Sequence, residues 1–277
     1  MHSTTSTRHF LLASDFDQTL SFNDSGLVLA DLLGVSGFQE KVDGLARSNL
    51  VQQGGELAYL IRHDPEFRRV RREHLVEAGR LVRLKQAIPA FVEFLRTGVD
   101  GSRFSFVVIS AAPRDVVESA LSGMVPPDHI FATEFDFDPR TGEVVSVQRV
   151  PAGYGKVAVI EELERRFDVP SHRVIYVGDG NSDVHVMLHV NNRDGFTIAV
   201  SENRQLAQIA RRTVLSDNAC SVMVPVLDQV IGHTTAEIRR LFESHGLALH
   251  DWEHARTDRV VVGELDGRVV ATMTGAA

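Results

Sequence analysis

Three short apolar runs, residues 10–14, 104–110 and 174–178, each stop abruptly at small or acidic residues. Uninterrupted runs of this length read as strands buried on both faces. Amphipathic helical patterns fall between and after them, at residues 89–96, 113–121, 156–167 and 203–210. Strands alternating with helices pair in parallel, because each right-handed crossover returns the chain to the same end of the sheet. The expected fold class is therefore α/β, an open parallel sheet whose ligand lies beyond the carboxyl ends of its strands.

Three stretches depart from that alternation. Residues 21–87 carry amphipathic patterns at 26–33, 38–50, 56–62 and 66–84 without a convincing strand, so they read as a helical insertion after the first strand. Two β-rich runs within 129–150 flank Asp138-Pro139-Arg140-Thr141-Gly142, a turn sequence that predicts a hairpin at the sheet edge. After residue 232 a Thr234-Thr235-Ala236-Glu237 capping box opens a helix that Gly246 ends, and Val-rich runs then flank Asp266-Gly267, a strong hairpin signal. An isolated hairpin is marginal in water, so this one needs cover from the core or from a second copy in a homodimer. The expected organisation is a core of residues 1–20 and 88–232, an insertion of 21–87 and an appendage of 233–277.

The chain has 277 residues and a formal net charge of -8. An acidic protein is a poor default partner for nucleic acid, whose phosphate backbone calls for a dense basic surface. Cys220 is the only cysteine, which excludes an intramolecular disulfide and a thiolate metal cluster within the chain, and it reads as a small buried hydrophobe. The first nine residues lack the charged and apolar regions of a secretory signal, and no apolar run reaches membrane-span length. A cytoplasmic protein without membrane association is the expectation.

Chemistry concentrates where the runs end. Asp15 and Asp17 follow the first run, two residues apart, so an extended chain turns both carboxylates to one side. Two acids beside one reacting centre can be driven to different protonation states, one ionised as nucleophile or metal ligand and the other protonated as acid. Such a pair also occurs in calcium loops and nucleotide-sugar enzymes, or simply caps a strand. The calcium loop fits poorly, because Leu20 and Asp24 stand where it needs glycine and other ligands.

Ser110 ends the second run, ahead of Ala111-Ala112-Pro113, where a hydroxyl and free backbone N–H groups can hold a phosphoryl oxygen or merely cap a helix. Lys156, in Gly153-Tyr154-Gly155-Lys156, opens a helix, an unfavourable place for a cation unless an anion sits there. Gly178-Asp179-Gly180-Asn181-Ser182-Asp183 follows the third run. Its glycines suit a tight turn, and its two acids offer hard oxygen ligands.

These four elements, in this order, resemble the four motifs of the haloacid dehalogenase superfamily over residues 10–231, and the helical insertion resembles the cap of its phosphoserine phosphatase-like branch. The resemblance implies a Rossmann-like open parallel sheet with an inserted helical cap, and a phosphatase acting on a small phosphorylated metabolite. By the same resemblance Asp15 would be nucleophile and metal ligand, and Asp17 would protonate the leaving oxygen and then activate water. Thr19, Ser110 and Lys156 would serve the phosphate site. A magnesium ion (Mg2+) would be held by Asp15, the Asp17 carbonyl and Asp179, with Asp183 orienting a water or Lys156. Asp24 stands at the spacing of the glutamate that contacts the substrate amine in phosphoserine phosphatases, and Asn181 and Ser182 depart from the branch pattern in the last motif. The changes keep the chemistry and turn the expectation away from phosphoserine itself.

Other functions share these residues. A phosphotransferase or phosphomutase would use the same aspartyl phosphate with another acceptor, and a non-catalytic binding module could keep the fold alone. A dehalogenase has no use for an acid at Asp17. His185 and His189, at i and i+4, lack the glutamate of a zinc helix, and Trp252 reads as a packing anchor. Residues 62–85 hold eight basic residues against four acidic ones. They read either as a solvated face with pairs such as Arg69 and Glu73, or as the source of an arginine, Arg62 first, that grips a second anionic group on the substrate.

Overall fold

The computed structural model describes residues 8–249 and, as backbone alone, 259–265 and 268–274. Seven strands form one sheet: β1 (Arg8–Ser14), β2 (Ser102–Pro113), β3 (Ile130–Phe137), β4 (Val144–Arg149), β5 (Val174–Gly178), β6 (Phe196–Ala199) and β7 (Arg212–Thr213). Their order is β4-β3-β2-β1-β5-β6-β7, with every neighbouring pair parallel except the edge hairpin β3-β4. The chain builds outward from β1 in one direction and then in the other, so the switch point of the sheet lies at the carboxyl end of β1, between β2 and β5.

The strand core explains the apolar runs. Leu11, Ala13, Val107, Ile109, Val174 and Tyr176 are buried together under the helix Tyr154–Phe167, which contributes Val159, Ile160 and Leu163, and the helix Val184–Asn191, which contributes Val186, Met187 and Val190. Both faces of β1 are covered, which is why its sequence shows no alternation.

Between β1 and β2 the chain forms α1 (Ser25–Leu33), α2 (Phe38–Ser48), α3 (Glu56–His63) and α4 (Arg72–Leu81), then α5 (Ile88–Thr97) leads into β2. The single pattern expected over residues 66–84 is divided instead. A short 3-10 turn, Phe67–Arg69, is followed by extended backbone at Arg71, φ -127° and ψ 163°, before α4 begins. Arg71 leaves the helix because its side chain is committed elsewhere: it donates to the Thr141 carbonyl at 2.8 Å and pairs with Glu143 at 3.0 Å on the β3-β4 turn. Arg72 pairs with Asp115 at 3.1 Å, and the Ser119 hydroxyl donates to the Val76 carbonyl at 2.7 Å. The expected Arg69–Glu73 pair is replaced by a bond from Arg69 to the Leu33 carbonyl. The arginines of this segment thus largely fasten the insertion to the sheet layer and to itself.

The strand expected to end at Ser110 runs on to Pro113, with its pairing to β3 interrupted between Ile109 and Pro113. Ser110 folds its hydroxyl back to accept the Ala112 N–H at 3.1 Å, a local bond that competes with the ladder. Residues 8–232 fall in one compact unit and residues 233 onward in a second. The second contains the helix Thr235–Ser244, with the capping box of Thr234 and Glu237 formed as the sequence predicts. It also contains the antiparallel strands β8 (Arg259–Leu265) and β9 (Arg268–Thr274). The Asp266-Gly267 turn and Trp252 lie outside the described residues.

Candidate active site

Asp15 stands one residue beyond β1, at the switch point. Its backbone N–H continues the parallel ladder by donating to the Val177 carbonyl at 2.9 Å, which levels it with the start of the Gly178–Asp183 turn. One carboxylate oxygen accepts the Phe16 N–H at 2.7 Å, and the other meets the Lys156 ammonium at 2.8 Å. Lys156 enters from the first turn of the helix Tyr154–Phe167 and touches Asp183 at 2.7 Å as well. Lys156 and Asp183 have no exposed surface and Asp15 is 5% exposed, so the three charges act on one another with little screening by water.

Asp183 is saturated. Its Oδ1 accepts Lys156 and the Tyr176 hydroxyl, the latter at 2.6 Å, while Oδ2 accepts the backbone N–H groups of Asp179 and Gly180, each at 3.1 Å. Of the two partners expected for it, Lys156 is in contact at 2.7 Å. The same packing explains Gly178, where an added Cβ would sit 2.4 Å from the Asp183 Cγ.

The electrostatics of the site follow from burial. Burial pushes the Asp15 carboxyl up to about 6, with Lys156 pulling it back and Asp183 adding to the rise. Asp179 is pushed up to about 8, by burial first and then by the charges of Asp15 and Asp183. Burial works against a charged Lys156, yet Asp15 and Asp183 together hold its ammonium well above the ordinary lysine range.

Oxygens of Asp15, Asp179 and Asp183 lie within 4.8 Å of one another, the one group of three potential ligands among the described residues. All-oxygen donors at this spacing suit a hard divalent cation such as magnesium. Each Asp183 oxygen already accepts two donors, whereas each Asp15 oxygen meets one, so Asp15 and Asp179 have more acceptor capacity left for a cation. Thr19 donates to Asp179 at 3.3 Å. His185 and His189 join no such group.

Asp17 is turned toward the insertion. Ser25 gives its backbone N–H at 2.9 Å and its hydroxyl at 2.8 Å to the two oxygens of the carboxylate. Burial, then the charges of Asp24 and Asp15, push Asp17 far above the usual carboxylate range. Asp24 caps α1, accepting the N–H groups of Gly26 and Leu27 at 2.8 and 3.1 Å. Arg62 lies half-buried in the last turn of α3, and Ser110 is buried at the end of β2.

Sequence reasoning did not single out the segment that roofs this site. Gly54, at φ +91°, fits into a notch where an added Cβ would lie 3.0 Å from the Ser182 Cβ, 3.1 Å from that of Ala152 and 3.6 Å from that of Ala111. The loop before α3 therefore touches, at one glycine, the three core loops that carry Ser110, Lys156 and Asp179. Buried Glu56 fixes this loop by accepting the Gly54 N–H at 2.8 Å, and Gln52 lies over Gly153. A Gly-Gly pair opening a helix was the available signal.

The haloacid dehalogenase-like hydrolase family model matches residues 12–188. No curated protein sequence matches the chain. Among solved structures, a substrate-bound phosphoserine phosphatase complex is similar at 17% identity and a TM-score of 0.63, over 78% of this chain and 97% of that one. A phospho-aspartyl intermediate analogue of phosphoserine phosphatase has the same identity and TM-score, over 78% and 98%. A phosphoserine phosphohydrolase-like protein from Francisella tularensis subsp. tularensis SCHU S4 is similar at 17% identity and a TM-score of 0.59, over 77% and 98%. The fold of those structures is shared here, and with a family match over well over half its length the chain belongs to the haloacid dehalogenase-like hydrolases.

Proposed function

We propose that this hydrolase is a magnesium-dependent phosphomonoesterase that cleaves a small phosphorylated metabolite through an aspartyl phosphate on Asp15. The observation that carries the reading is the bridge of Lys156 between Asp15 at 2.8 Å and Asp183 at 2.7 Å, beside Asp179. A buried ammonium at the nucleophile is placed to neutralise a transferring phosphoryl group, and this chemistry depends on positioning and charge neutralisation.

In this reading Asp15 and Asp179, with the Asp17 carbonyl, would hold magnesium, which when bound supplies charge neutralisation to the phosphoryl oxygens. A carboxylate oxygen of Asp15 attacks phosphorus and the bond to the ester oxygen breaks. Asp17, kept protonated by its surroundings, gives its proton to the leaving oxygen on release from Ser25. It then accepts a proton from the water that attacks the aspartyl phosphate, which frees phosphate and restores Asp15. The Ser110 hydroxyl and neighbouring N–H groups supply further contacts to the phosphoryl oxygens. The contact of Gly54 with three core loops supports a small leaving group, since the roof closes directly on the catalytic loops. Phosphate release from a panel of phosphorylated metabolites, with magnesium and with chelator, tests the proposal. Release from none of them, or release unaffected by chelator, would overturn it.

A further inference from the structure

Tyr176 lies in the middle of β5 and has no exposed surface. The rest of that strand is Val, Ile, Val and Gly, so a phenol is the one polar side chain in it. Its hydroxyl donates to Asp183 Oδ1 at 2.6 Å, the oxygen that also receives Lys156 at 2.7 Å. The order of contacts is a chain, Tyr176 to Asp183 to Lys156 to Asp15, with the nucleophile at its end.

The ordinary explanation is that a buried phenol needs a partner and took the nearest carboxylate. Two features go beyond it. First, Asp183 Oδ2 is already fixed by two backbone N–H groups, so Tyr176 supplies the remaining direction and leaves the carboxylate one orientation. Second, Tyr176 and Lys156 compete for one oxygen. A carboxylate oxygen that accepts a short phenol hydrogen bond concentrates less charge on its other donor. Lys156 is thereby held in place without being monopolised, and its charge stays available on the Asp15 side.

We propose that Tyr176 is a positioning residue for the phosphate-binding ammonium, acting through Asp183 to set where Lys156 stands and how strongly it faces the phosphoryl group. This rests on the phosphatase reading above. Without the phenol, Asp183 draws Lys156 toward itself, and the site loses affinity for phosphate in the ground state and the transition state alike.

The test uses the full chain with magnesium. Tyr176→Phe removes one oxygen and keeps the ring that fills the core. It is expected to weaken competitive inhibition by inorganic phosphate about tenfold, the scale of one hydrogen bond to a charged group, and to lower kcat/KM on an aryl phosphate by at least as much. In an Asp183→Asn background, with inorganic phosphate binding followed by calorimetry, the same Tyr176→Phe change is expected to add nothing, because the route through Asp183 is already broken. A merely structural tyrosine would lower the melting temperature and leave phosphate affinity unchanged, or its effect would multiply with that of Asp183→Asn. Either result overturns the proposal. A wild-type chain that neither releases nor binds phosphate overturns the phosphatase reading itself, whereas an active wild type matched by Tyr176→Phe overturns only this inference.

Discussion

Ser25 holds both oxygens of Asp17, the backbone N–H at 2.9 Å and the hydroxyl at 2.8 Å, and it is the first residue of α1. The proposed acid is therefore tied to the insertion, while the proposed nucleophile two residues earlier is tied to the sheet. The Ser25 hydroxyl favours the charged form of Asp17 against the larger effect of burial. Ser25→Ala should raise the Asp17 pKa further, because the hydroxyl that favours the charged form is gone. The pH profile of kcat checks this: the alkaline limb, where the acid loses its proton, should move to higher pH.

Asp15→Asn should abolish turnover, since the amide has the shape of the carboxylate without its nucleophilicity. Full-rate phosphate release by that variant would remove Asp15 from its role. The same change should depress the raised pKa of Asp179, because Asp15 is the largest source of charge acting on it after burial.

Stability should depend on pH and on metal together. Asp179 at about 8 and Asp15 at about 6 both sit above the ordinary carboxylate value of 3.8. The metal-free folded state therefore keeps protons that the unfolded chain has released, and its stability should fall as pH rises from about 4 to about 8. In the proposed reading magnesium would replace those protons. Melting curves with chelator should show the decline, and saturating magnesium should flatten it, adding about 2.7 kcal/mol at a hundred times its Kd.

The arginines of the insertion should separate into two classes. Arg71→Ala removes the bonds to Thr141 and Glu143 and should cost about 1 kcal/mol of stability with little change in turnover. Arg62→Ala should leave an aryl phosphate unaffected and slow a substrate carrying a second anionic group. Rates unchanged from wild type on both ester types would return Arg62 to the solvated face.

The sequence exposed some of these features and hid others for physical reasons. β1, β2 and β5 announce themselves because burial on two faces demands uninterrupted apolar residues. β7 is Arg212-Thr213 alone, both exposed, and two residues carry no period. The break at Arg71 was invisible because its cause lies some seventy residues onward, at Thr141 and Glu143. Asp15, Lys156, Asp179 and Asp183 converge as the strand ends required. Ser25 and Tyr176 escaped notice because a serine at a helix start and a tyrosine in a strand each have an ordinary explanation.

The placement of β1 between β2 and β5 also has a bearing on how the molecule opens. Backbone amides of Leu11–Ser14 are enclosed by parallel neighbours on two sides, so their hydrogen exchange should proceed only through global unfolding. The insertion is fastened to the core in part by half-exposed ion pairs such as Arg71–Glu143 and Arg72–Asp115, and such contacts open at a fraction of that free energy. Partial opening would thus free Ser25, Gly54 and the grip on Asp17 while Asp15 stays anchored. Asp15 and Asp17, two residues apart, would then answer differently to one local opening.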